Sequence, residues 1–324
     1  MINYPIKFTP ILKDKIWGGE KLKTVLNKET SLNNVGESWE LSSVDGDISV
    51  VANGVLKGKK LTELLETYQE QLVGQKVYGE FGNKFPLLFK FIDAKENLSI
   101  QLHPNDEIAK KLHNSFGKTE MWFVMDADKN SELNIGFSEA MNPEKYKQAV
   151  EDKKILDKLN FEKVTKGDSF FIKEGLVHAI GAGCLIAEIQ QTSDITYRIY
   201  DWDRVDDQGN ERELHTELAL EALDYDAVGA NKCKYDEEVN QPSNIASCEY
   251  FTTNYVKVNN LFTRDLSEVQ SFAVYICVGG QGTIEINGNT EEIKRGETVL
   301  IPANTQELVV KSEGIELLEV YIKS

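Results

Sequence analysis

The sequence predicts a mainly β protein made of two jelly-roll-like β-sandwich domains with a few peripheral helices. Three observations favour this fold class. Strand-like segments outnumber helix-like ones, a short residue pattern recurs in both parts of the chain, and 324 residues suggest about two domains. Short segments rich in β-branched and aromatic residues, separated by Gly, Asn or Asp, are typical of sandwiches and barrels.

Eight strand-like segments share this composition. They are 85–93, 98–103, 121–125, 169–172, 184–190, 195–200, 272–278 and 297–301. Helical periodicity is limited to four stretches. These are 61–73, 105–113, 143–158 and 215–224. The chain turns polar and loses its patterning between about 226 and 245, so we predict domains at 1–235 and 236–324.

The recurring pattern is GDSFFIKEGLVH at 167–178 and GETVLIPANTQE at 296–307. It resembles the second cupin motif, in which a glycine, five residues and a turn precede a metal-binding histidine. The first copy ends in His178 and the second in Glu307, and no histidine follows His215. We therefore expect two cupin-like domains, of which the first can hold a histidine-bound metal. The second is expected to brace the first.

Charge and composition exclude several classes of protein. The net charge of −17 opposes a general affinity for nucleic acid or for anionic lipid, so local cations must hold any anionic ligand. No apolar run is long enough to span a bilayer, and lysines interrupt the N-terminal apolar residues. Four cysteines without a C-x-x-C pair argue against a disulfide framework and a cysteine-bound zinc cluster. These features predict a cytoplasmic protein without a nucleic-acid or membrane partner.

Five polar residues stand out near strand ends. In LSIQLHP, Ser99, Gln101 and His103 alternate along a predicted strand and so share one face. Glu120 precedes an apolar strand, and His178 ends the turn after another. Each alone is ordinary: a half-solvated edge strand, a surface carboxylate, a hydrogen-bonded histidine. As a set, two histidines, a glutamate and a glutamine oxygen suit Zn²⁺ with one position left open, although iron or manganese accept similar donors.

Basic residues occur near these candidate ligands. Lys118 lies two residues before Glu120, and the segment 188–204 contains Glu188, Arg198 and Arg204. Lys118, Arg198 and Arg204 would suit an anionic substrate. A salt-bridged surface hairpin is the competing interpretation, because three aspartates lie in the same segment. Spacing alone favours the hairpin.

Six segments closely resemble type I mannose-6-phosphate isomerases in their shorter bacterial form. The resemblance covers about 1–225 and continues more loosely to the C-terminus. The segments are DKIWGGEKL (14–22), GESWELS (36–42), FPLLFKFIDAKENLSIQLHPND (85–106), GKTEMW (117–122), EGLVHAIGAG (174–183) and TSDITYRIYDWDR (192–204). It implies an enzyme that interconverts mannose 6-phosphate and fructose 6-phosphate by proton transfer through an enediol, with Zn²⁺ as cofactor and a small phosphorylated sugar as substrate.

The resemblance also implies roles for individual residues. The family's zinc ligands correspond to Gln101, His103, Glu120 and His178. Its active-site arginine, the lysine beside the zinc-binding glutamate and the acidic residue proposed for proton transfer correspond to Arg198, Lys118 and Glu188. Positions associated with substrate phosphate correspond to Ser99 and Arg204. Gly117 departs from the longer enzymes, which often have a histidine or another polar residue there, so a mechanism that requires that histidine as the base is not expected here.

Two other functions stay open at this point. One is a metal-containing sugar-phosphate binding module that has lost turnover, and the other is a non-haem iron oxygenase. The presence of Lys118, Glu188 and Arg198 argues against the first, and the absence of an H-x-H pair argues against the second. His113 and His215 are interpreted as structural or solvent-facing. The sequence leaves the oligomeric state open.

Overall fold

The structure is a computed structural model that describes residues 2–205, 208–229 and 232–323. These residues form a mainly β chain. The α-helices are α1 (Lys21–Thr24), α2 (Leu61–Tyr68), α3 (Glu70–Val73), α4 (Gln75–Phe81), α5 (Asp106–His113), α6 (Pro143–Glu151) and α7 (Thr216–Ala222). Short 3₁₀ helices lie at Gly54–Leu56 and Ile155–Lys158.

The strands follow in chain order and make up most of the regular structure. They are β1 (Phe8–Thr9), β2 (Ile11–Gly19), β3 (Val35–Leu41), β4 (Ser43–Val44), β5 (Asp47–Ile48), β6 (Val50–Val51), β7 (Leu87–Ala94), β8 (Ile100–Leu102), β9 (Glu120–Ala127), β10 (Glu132–Phe137), β11 (Leu159–Lys163), β12 (Ser169–Ile172), β13 (His178–Ile180), β14 (Cys184–Gln191), β15 (Tyr197–Tyr200), β16 (Pro242–Ser247), β17 (Thr252–Asp265), β18 (Ala273–Ile286), β19 (Asn289–Lys294), β20 (Thr298–Ile301) and β21 (Glu307–Tyr321).

Two antiparallel sheets form a sandwich in the first part of the chain. Sheet I has the strand order β12-β9-β14-β7-β2-β3, and sheet II has the order β11-β10-β13-β8-β15. Trp122 and Ile186 of sheet I pack in one core cluster with Leu133, Ile135 and Ile180 of sheet II. The two sheets therefore face each other, as the predicted β-sandwich requires.

The central strands of sheet I are buried along their whole length, because each face of this sheet is covered. Successive side chains of a strand point to opposite faces. On β7, Phe89 and Phe91 join an apolar core behind sheet I, whereas Lys90 lines a cavity between sheets I and II. On β14, Ile189 enters the same core and Glu188 faces the cavity. The period-2 pattern thus directs charged groups into an otherwise apolar sandwich.

Sheet III forms the C-terminal part of the chain, in the order β16-β17-β21-β18-β19 with β20 paired to β18. Its long strands contain register shifts, for example between Cys277 and Gly279, and such bulges let strands bend. Gly280 has φ +70°, and a Cβ there would lie 2.0 Å from the carbonyl oxygen of Gly314. A close strand approach therefore requires glycine at this bend.

The apolar core behind sheet I also joins the two parts of the chain. The ring centroids of Phe85 and Phe272 lie 4.5 Å apart, and those of Phe123 and Tyr255 lie 6.1 Å apart. These residues belong to one buried cluster, to which α2 and α3 also contribute, for example through Leu65. These helices fill the junction between the sheets and do more than flank them.

All eight predicted strand segments overlap observed strands, and the mainly β prediction is confirmed. The helix predicted over 61–73 is split, because Gln69 has φ +46° between α2 and α3. The helix predicted over 143–158 ends at Glu151, and a 3₁₀ helix follows it. The periodicity missed α4 and several strands, including β2, β10 and much of sheet III.

The recurring pattern corresponds to the same local structure in both copies. Gly167 and Gly296 both have positive φ, +92° and +86°, and each precedes a four-residue strand, β12 or β20. After the following turn, His178 begins β13 and Glu307 begins β21. His178 is buried, whereas Glu307 is exposed. The repeat therefore places a buried histidine in the first part of the chain and none in the second.

The polar connection runs along both parts of the chain. Val228 forms a bridge to Phe137, and Val239 forms one to Lys257. Among the described residues of 226–241, these bridges replace regular helix or strand. The division into domains 1–235 and 236–324 stays a prediction.

Candidate active site

Three of the four predicted metal ligands meet in one buried cluster between sheets I and II. The Nε2 atoms of His103 and His178 lie 3.2 Å apart. Glu120 Oε2 lies 3.7 Å from His103 Nε2, and Glu120 Oε1 lies 3.4 Å from His178 Nε2. All three side chains are at most 1% exposed. Three donor atoms this close can surround one metal ion.

Hydrogen bonds fix the orientation of both imidazoles. Each Nδ1 lies 2.8 Å from a backbone carbonyl oxygen, that of Ile195 for His103 and that of Leu176 for His178. Each Nδ1 therefore carries the proton and donates it, so each Nε2 presents a lone pair to the cluster. Burial lowers the pKa of His178 to about 4 and, together with Lys118, lowers that of His103 well below its ordinary value.

Strand ends bring the three candidate ligands together. His103 directly follows β8, Glu120 begins β9 and His178 begins β13. The backbone N–H of Gly175 donates to the carbonyl oxygen of His103 at 2.8 Å, which ties the turn before His178 to the end of β8. The sequence prediction of ligands at strand ends thus agrees with the geometry.

Gln101 and Ser99 lie beside the cluster. Gln101 pairs with His178 across β8 and β13, and Ser99 Oγ donates to Gln101 Oε1 at 3.2 Å. Both residues line a cavity that lies beside the cluster. The structure therefore places Gln101 next to a ligand, with an amide oxygen that already accepts one hydrogen bond.

The cavity has a volume of about 300 Å³ and is rich in charge. Its basic lining residues are Lys15, Lys90, Lys118, Arg198 and Arg212, and its acidic ones are Glu37, Glu188 and Asp194. Basic groups thus outnumber acidic ones here, although acidic residues prevail in the whole chain, whose net charge is −17. A local excess of positive charge suits a phosphorylated ligand.

A ladder of charged and aromatic residues, which was not predicted from the sequence, runs across sheet I. Glu188 pairs with Lys90 on one side and with Trp122 on the other, and Lys90 pairs with Trp39. Lys90 Nζ lies 3.1 Å from Glu188 Oε1, and Trp122 Nε1 donates to Glu188 Oε2 at 2.9 Å. Burial opposes ionisation of Glu188, but Lys90 and Lys118 outweigh it and hold the pKa of this carboxyl below its ordinary value. Glu188 is therefore an ionised carboxylate in the cavity at neutral pH.

Arg198 is held by the segment just before α7. Its backbone N–H donates to His215 Nδ1 at 3.0 Å, and its Nη1 donates to the carbonyl oxygen of Glu213 at 2.8 Å. Its buried Nε has no hydrogen-bond partner among the described residues. Arg198 thus retains donor capacity for an anion in the cavity, and His215 is a support for it that the sequence did not reveal.

Arg204 and Arg212 share one carboxylate. Both guanidinium groups bind Asp201 Oδ1 at 2.5 Å, and Arg212 Nε also donates to Asp201 Oδ2 at 2.6 Å. Arg212 lines the cavity, whereas the cavity wall traced from the described residues does not include Arg204. Arg204, which was predicted to bind phosphate, is therefore connected to the cavity wall through its ion pair with Asp201. Arg212, which was not predicted, lines the cavity.

Lys118 lies between the cavity and the cluster. Its Nζ lies 3.4 Å from Glu120 Oε2, and the side chain is 5% exposed. Its backbone N–H donates to the carbonyl oxygen of Pro104 at 3.2 Å. A Cβ on the preceding Gly117 would lie 2.6 Å from the backbone nitrogen of Asp106, so a larger residue does not fit at this turn. This close packing accounts for the glycine at position 117.

Comparison with known proteins identifies the family. The catalytic-domain model of type I phosphomannose isomerases matches residues 6–149, and the cupin-domain model of mannose-6-phosphate isomerases matches residues 243–322. Mannose-6-phosphate isomerase ManA of Bacillus subtilis (strain 168) is 34% identical over 321 residues, which cover 97% of each chain. This chain belongs to the type I phosphomannose isomerase family.

Further relatives agree with this assignment. Mannose-6-phosphate isomerase of Streptococcus mutans is 32% identical over 302 residues, 92% of each chain. The crystal structure of the Bacillus subtilis mannose 6-phosphate isomerase superposes with a TM-score of 0.89 at 30% identity, covering 98% of this chain and 100% of that one. The predicted resemblance, the β fold with a cupin domain and the isomerase class of this phosphomannose isomerase family member are thereby confirmed. In the described part of the chain, no helix is long and apolar enough to cross a membrane.

Proposed function

We propose that this chain interconverts mannose 6-phosphate and fructose 6-phosphate through an enediol, with Zn²⁺ bound by His103, Glu120 and His178 and completed by Gln101. The observation that best supports this proposal is that a buried His-Glu-His cluster lies beside a cavity in which basic residues outnumber acidic ones. The names of the relatives support this substrate pair, since relatives that cover more than 90% of the chain are mannose-6-phosphate isomerases.

The cluster fits a metal cation. Two Nε2 lone pairs 3.2 Å apart repel each other, and neither oxygen of buried Glu120 accepts a hydrogen bond from any described residue. Burial and the nearby Glu188 carboxylate raise the pKa of Glu120, because both disfavour its negative charge. A bound cation would stabilise that charge. Nitrogen and oxygen donors of this kind suit Zn²⁺. When bound here, Zn²⁺ would polarise the sugar oxygens and stabilise negative charge that develops on them.

The remaining cavity residues divide the other tasks of the reaction. Isomerisation moves a proton between C2 and C1, so it needs a base, a group that stabilises the enediolate, and an anion clamp. Arg198 has free donor capacity for the enediolate. Glu188, ionised in the cavity, and Lys118, beside Glu120, are the groups that can move the proton. Ser99, Lys118 and an arginine bound to Asp201, either Arg204 or Arg212, would hold the phosphate.

The testing experiment measures conversion of mannose 6-phosphate to fructose 6-phosphate before and after EDTA treatment, with Zn²⁺ or Fe²⁺ added back. We expect EDTA to abolish turnover and Zn²⁺ to restore it. Folded, zinc-loaded protein that binds mannose 6-phosphate without converting it would contradict the isomerase and support a sugar-phosphate binding module. Restoration by iron alone would contradict Zn²⁺ as the cofactor.

A variant pair tests the ligands without using activity. His178→Ala removes one donor of the cluster, so we expect it to lose bound metal on elemental analysis. His113→Ala is the matched control, because His113 hydrogen-bonds the Tyr197 hydroxyl at 2.8 Å outside the cluster and should leave the metal content unchanged. Equal metal content in both variants would overturn the ligand assignment.

A further inference from the structure

One side chain from the C-terminal part of the chain connects to the turn that carries Lys118. Tyr250 lies in the connection between β16 and β17, and its hydroxyl donates to Asp106 Oδ2 at 2.7 Å. The other oxygen of this carboxylate, Asp106 Oδ1, accepts the backbone N–H of Gly117 at 2.7 Å. Asp106 thus joins sheet III to the residue immediately before Lys118.

A second contact extends this connection to the strand that carries Glu188. Gln191 ends β14, and its Nε2 donates to Asp106 Oδ1 at 3.2 Å. Its Oε1 accepts the backbone N–H of Thr119 at 2.8 Å, and its own backbone N–H donates to the carbonyl oxygen of Thr119. Residues 117–119 are therefore held from one side by Asp106 and from the other by Gln191.

The connection has a rigid base in the C-terminal part. Phe251, next to Tyr250, is fully buried in the core that joins the two parts of the chain, and its ring lies 6.3 Å from that of Phe171. The residue next to Tyr250 is therefore anchored in this core. Asp106 is the first residue of α5 and follows His103 by three positions, so its placement also affects the end of β8.

We propose that Tyr250 is a positioning residue: through Asp106 it fixes the turn at residues 117–119 and so sets the positions of Lys118 and Glu120. This inference rests on the proposed isomerase function. It gives the C-terminal cupin domain a part in catalysis, because the hydroxyl that orients the turn comes from that domain. Misplacement of a reacting group by about 1 Å can lower a rate about a hundredfold, so a weakened turn should reduce turnover measurably.

Tyr250→Phe tests the proposal by removing one hydroxyl. We expect kcat for mannose 6-phosphate to fall about tenfold while KM changes less than about twofold, since the substrate-contacting groups themselves remain. Tyr235→Phe is the matched control: Tyr235 donates to the Gly167 carbonyl oxygen at 2.6 Å, away from the 117–119 turn. Its kcat should be unchanged. Equal kcat in both variants would overturn the proposal.

Amide hydrogen exchange of residues 117–119 provides a readout independent of activity. We expect faster exchange in Tyr250→Phe than in the wild type, and no change in Tyr235→Phe. Unchanged exchange in Tyr250→Phe would overturn the positioning role even if turnover fell. A wild-type chain without turnover would overturn the proposed function and the catalytic consequence together, whereas exchange would still decide whether the contact holds the turn.

A double-mutant cycle tests whether Tyr250 acts through Asp106. Asp106→Ala removes both carboxylate oxygens and with them the acceptor of the Tyr250 hydroxyl. If Asp106 transmits the effect, Tyr250→Phe should lower kcat far less in the Asp106→Ala background than in the wild type. If each substitution lowered kcat by the same factor in the presence and absence of the other, Tyr250 would not act through Asp106.

Discussion

Glu188 is a buried carboxylate whose two oxygens face different partners, Lys90 and Trp122. Glu188→Gln keeps the shape of the side chain, but its single amide oxygen can accept from only one of these two donors, and the negative charge and the capacity to accept a proton are lost. We expect turnover to fall by about a hundredfold or more, the usual contribution of a general base, with metal content unchanged. Steady-state kinetics and elemental analysis measure the two quantities.

Glu40→Gln is a matched control for this substitution. Glu40 is 5% exposed and pairs with buried Lys28 at 2.7 Å, outside the residues that line the cavity. Both variants therefore remove one charge from a buried glutamate–lysine pair, and turnover should survive in Glu40→Gln. Near-normal turnover in Glu188→Gln would remove Glu188 from the proton transfer and leave Lys118 as the candidate.

The two arginines that share Asp201 make a second residue-scale test. Arg212 lines the cavity in the structure, while the family resemblance implies Arg204 at a phosphate position. We expect Arg212→Met to raise KM for mannose 6-phosphate about tenfold, as expected when a charge-assisted hydrogen bond is lost. Arg204→Met breaks the same kind of contact with Asp201 and should raise KM less. A larger effect in Arg204→Met would return the phosphate contact to Arg204.

The sequence indicated the buried His-Glu-His cluster more directly than the charged residues around it. His103, Glu120 and His178 could be found because few histidines exist and the motifs around them resemble a family. Lys90 offered a signal that was overlooked, since it interrupts the apolar strand FPLLFKFID on the face that alternation assigns to the cavity. Arg212 and Tyr250 offered none, because their role depends on tertiary contacts between distant segments.

At the scale of elements, alternation and turn residues predicted the strands that are flanked by apolar runs. Strands with many polar side chains were harder to predict. One example is β17 (TTNYVKVNNLFTRD), whose buried and exposed residues do not alternate regularly along the strand. The prediction of one continuous helix over 61–73 was wrong for a local reason. The apolar period of 61–73 continues across Gln69, but the backbone there leaves the helical region with φ +46° and ψ −123°.

Gln69 provides an element-scale prediction. It is exposed, and a backbone with positive φ costs a non-glycine residue about 1–3 kcal/mol. Gln69→Gly relieves this cost and loses about 0.5–1 kcal/mol through the greater entropy of the unfolded chain, so we expect a net gain of about 1 kcal/mol. Urea unfolding measures it. Gln71→Gly, an exposed position within α3, is the control and should lose about 1 kcal/mol. A loss in both variants would contradict relief of strain at Gln69.

At the scale of the whole molecule, the described residues form four apolar cores. One lies inside the sandwich of sheets I and II, one inside sheet III, and a third between these two parts, where Phe85 packs on Phe272. The fourth packs the outer face of sheet II against α6 and α7. Sheet I takes part in two of these cores, since its strands are buried on both faces. The C-terminal part therefore covers the back of the sheet whose front carries Lys90 and Glu188.

This shared core predicts that the chain unfolds as one cooperative unit. All four tryptophans lie in the first 202 residues, so their fluorescence reports on the proposed catalytic domain alone, whereas far-UV circular dichroism reports on every sheet. Phe262→Ala truncates a side chain inside the sheet III core and should cost about 3–5 kcal/mol. We expect the denaturant midpoints of both signals to fall together. If the two parts unfolded independently, circular dichroism would show a separate early transition, and the fluorescence midpoint would stay at its wild-type value.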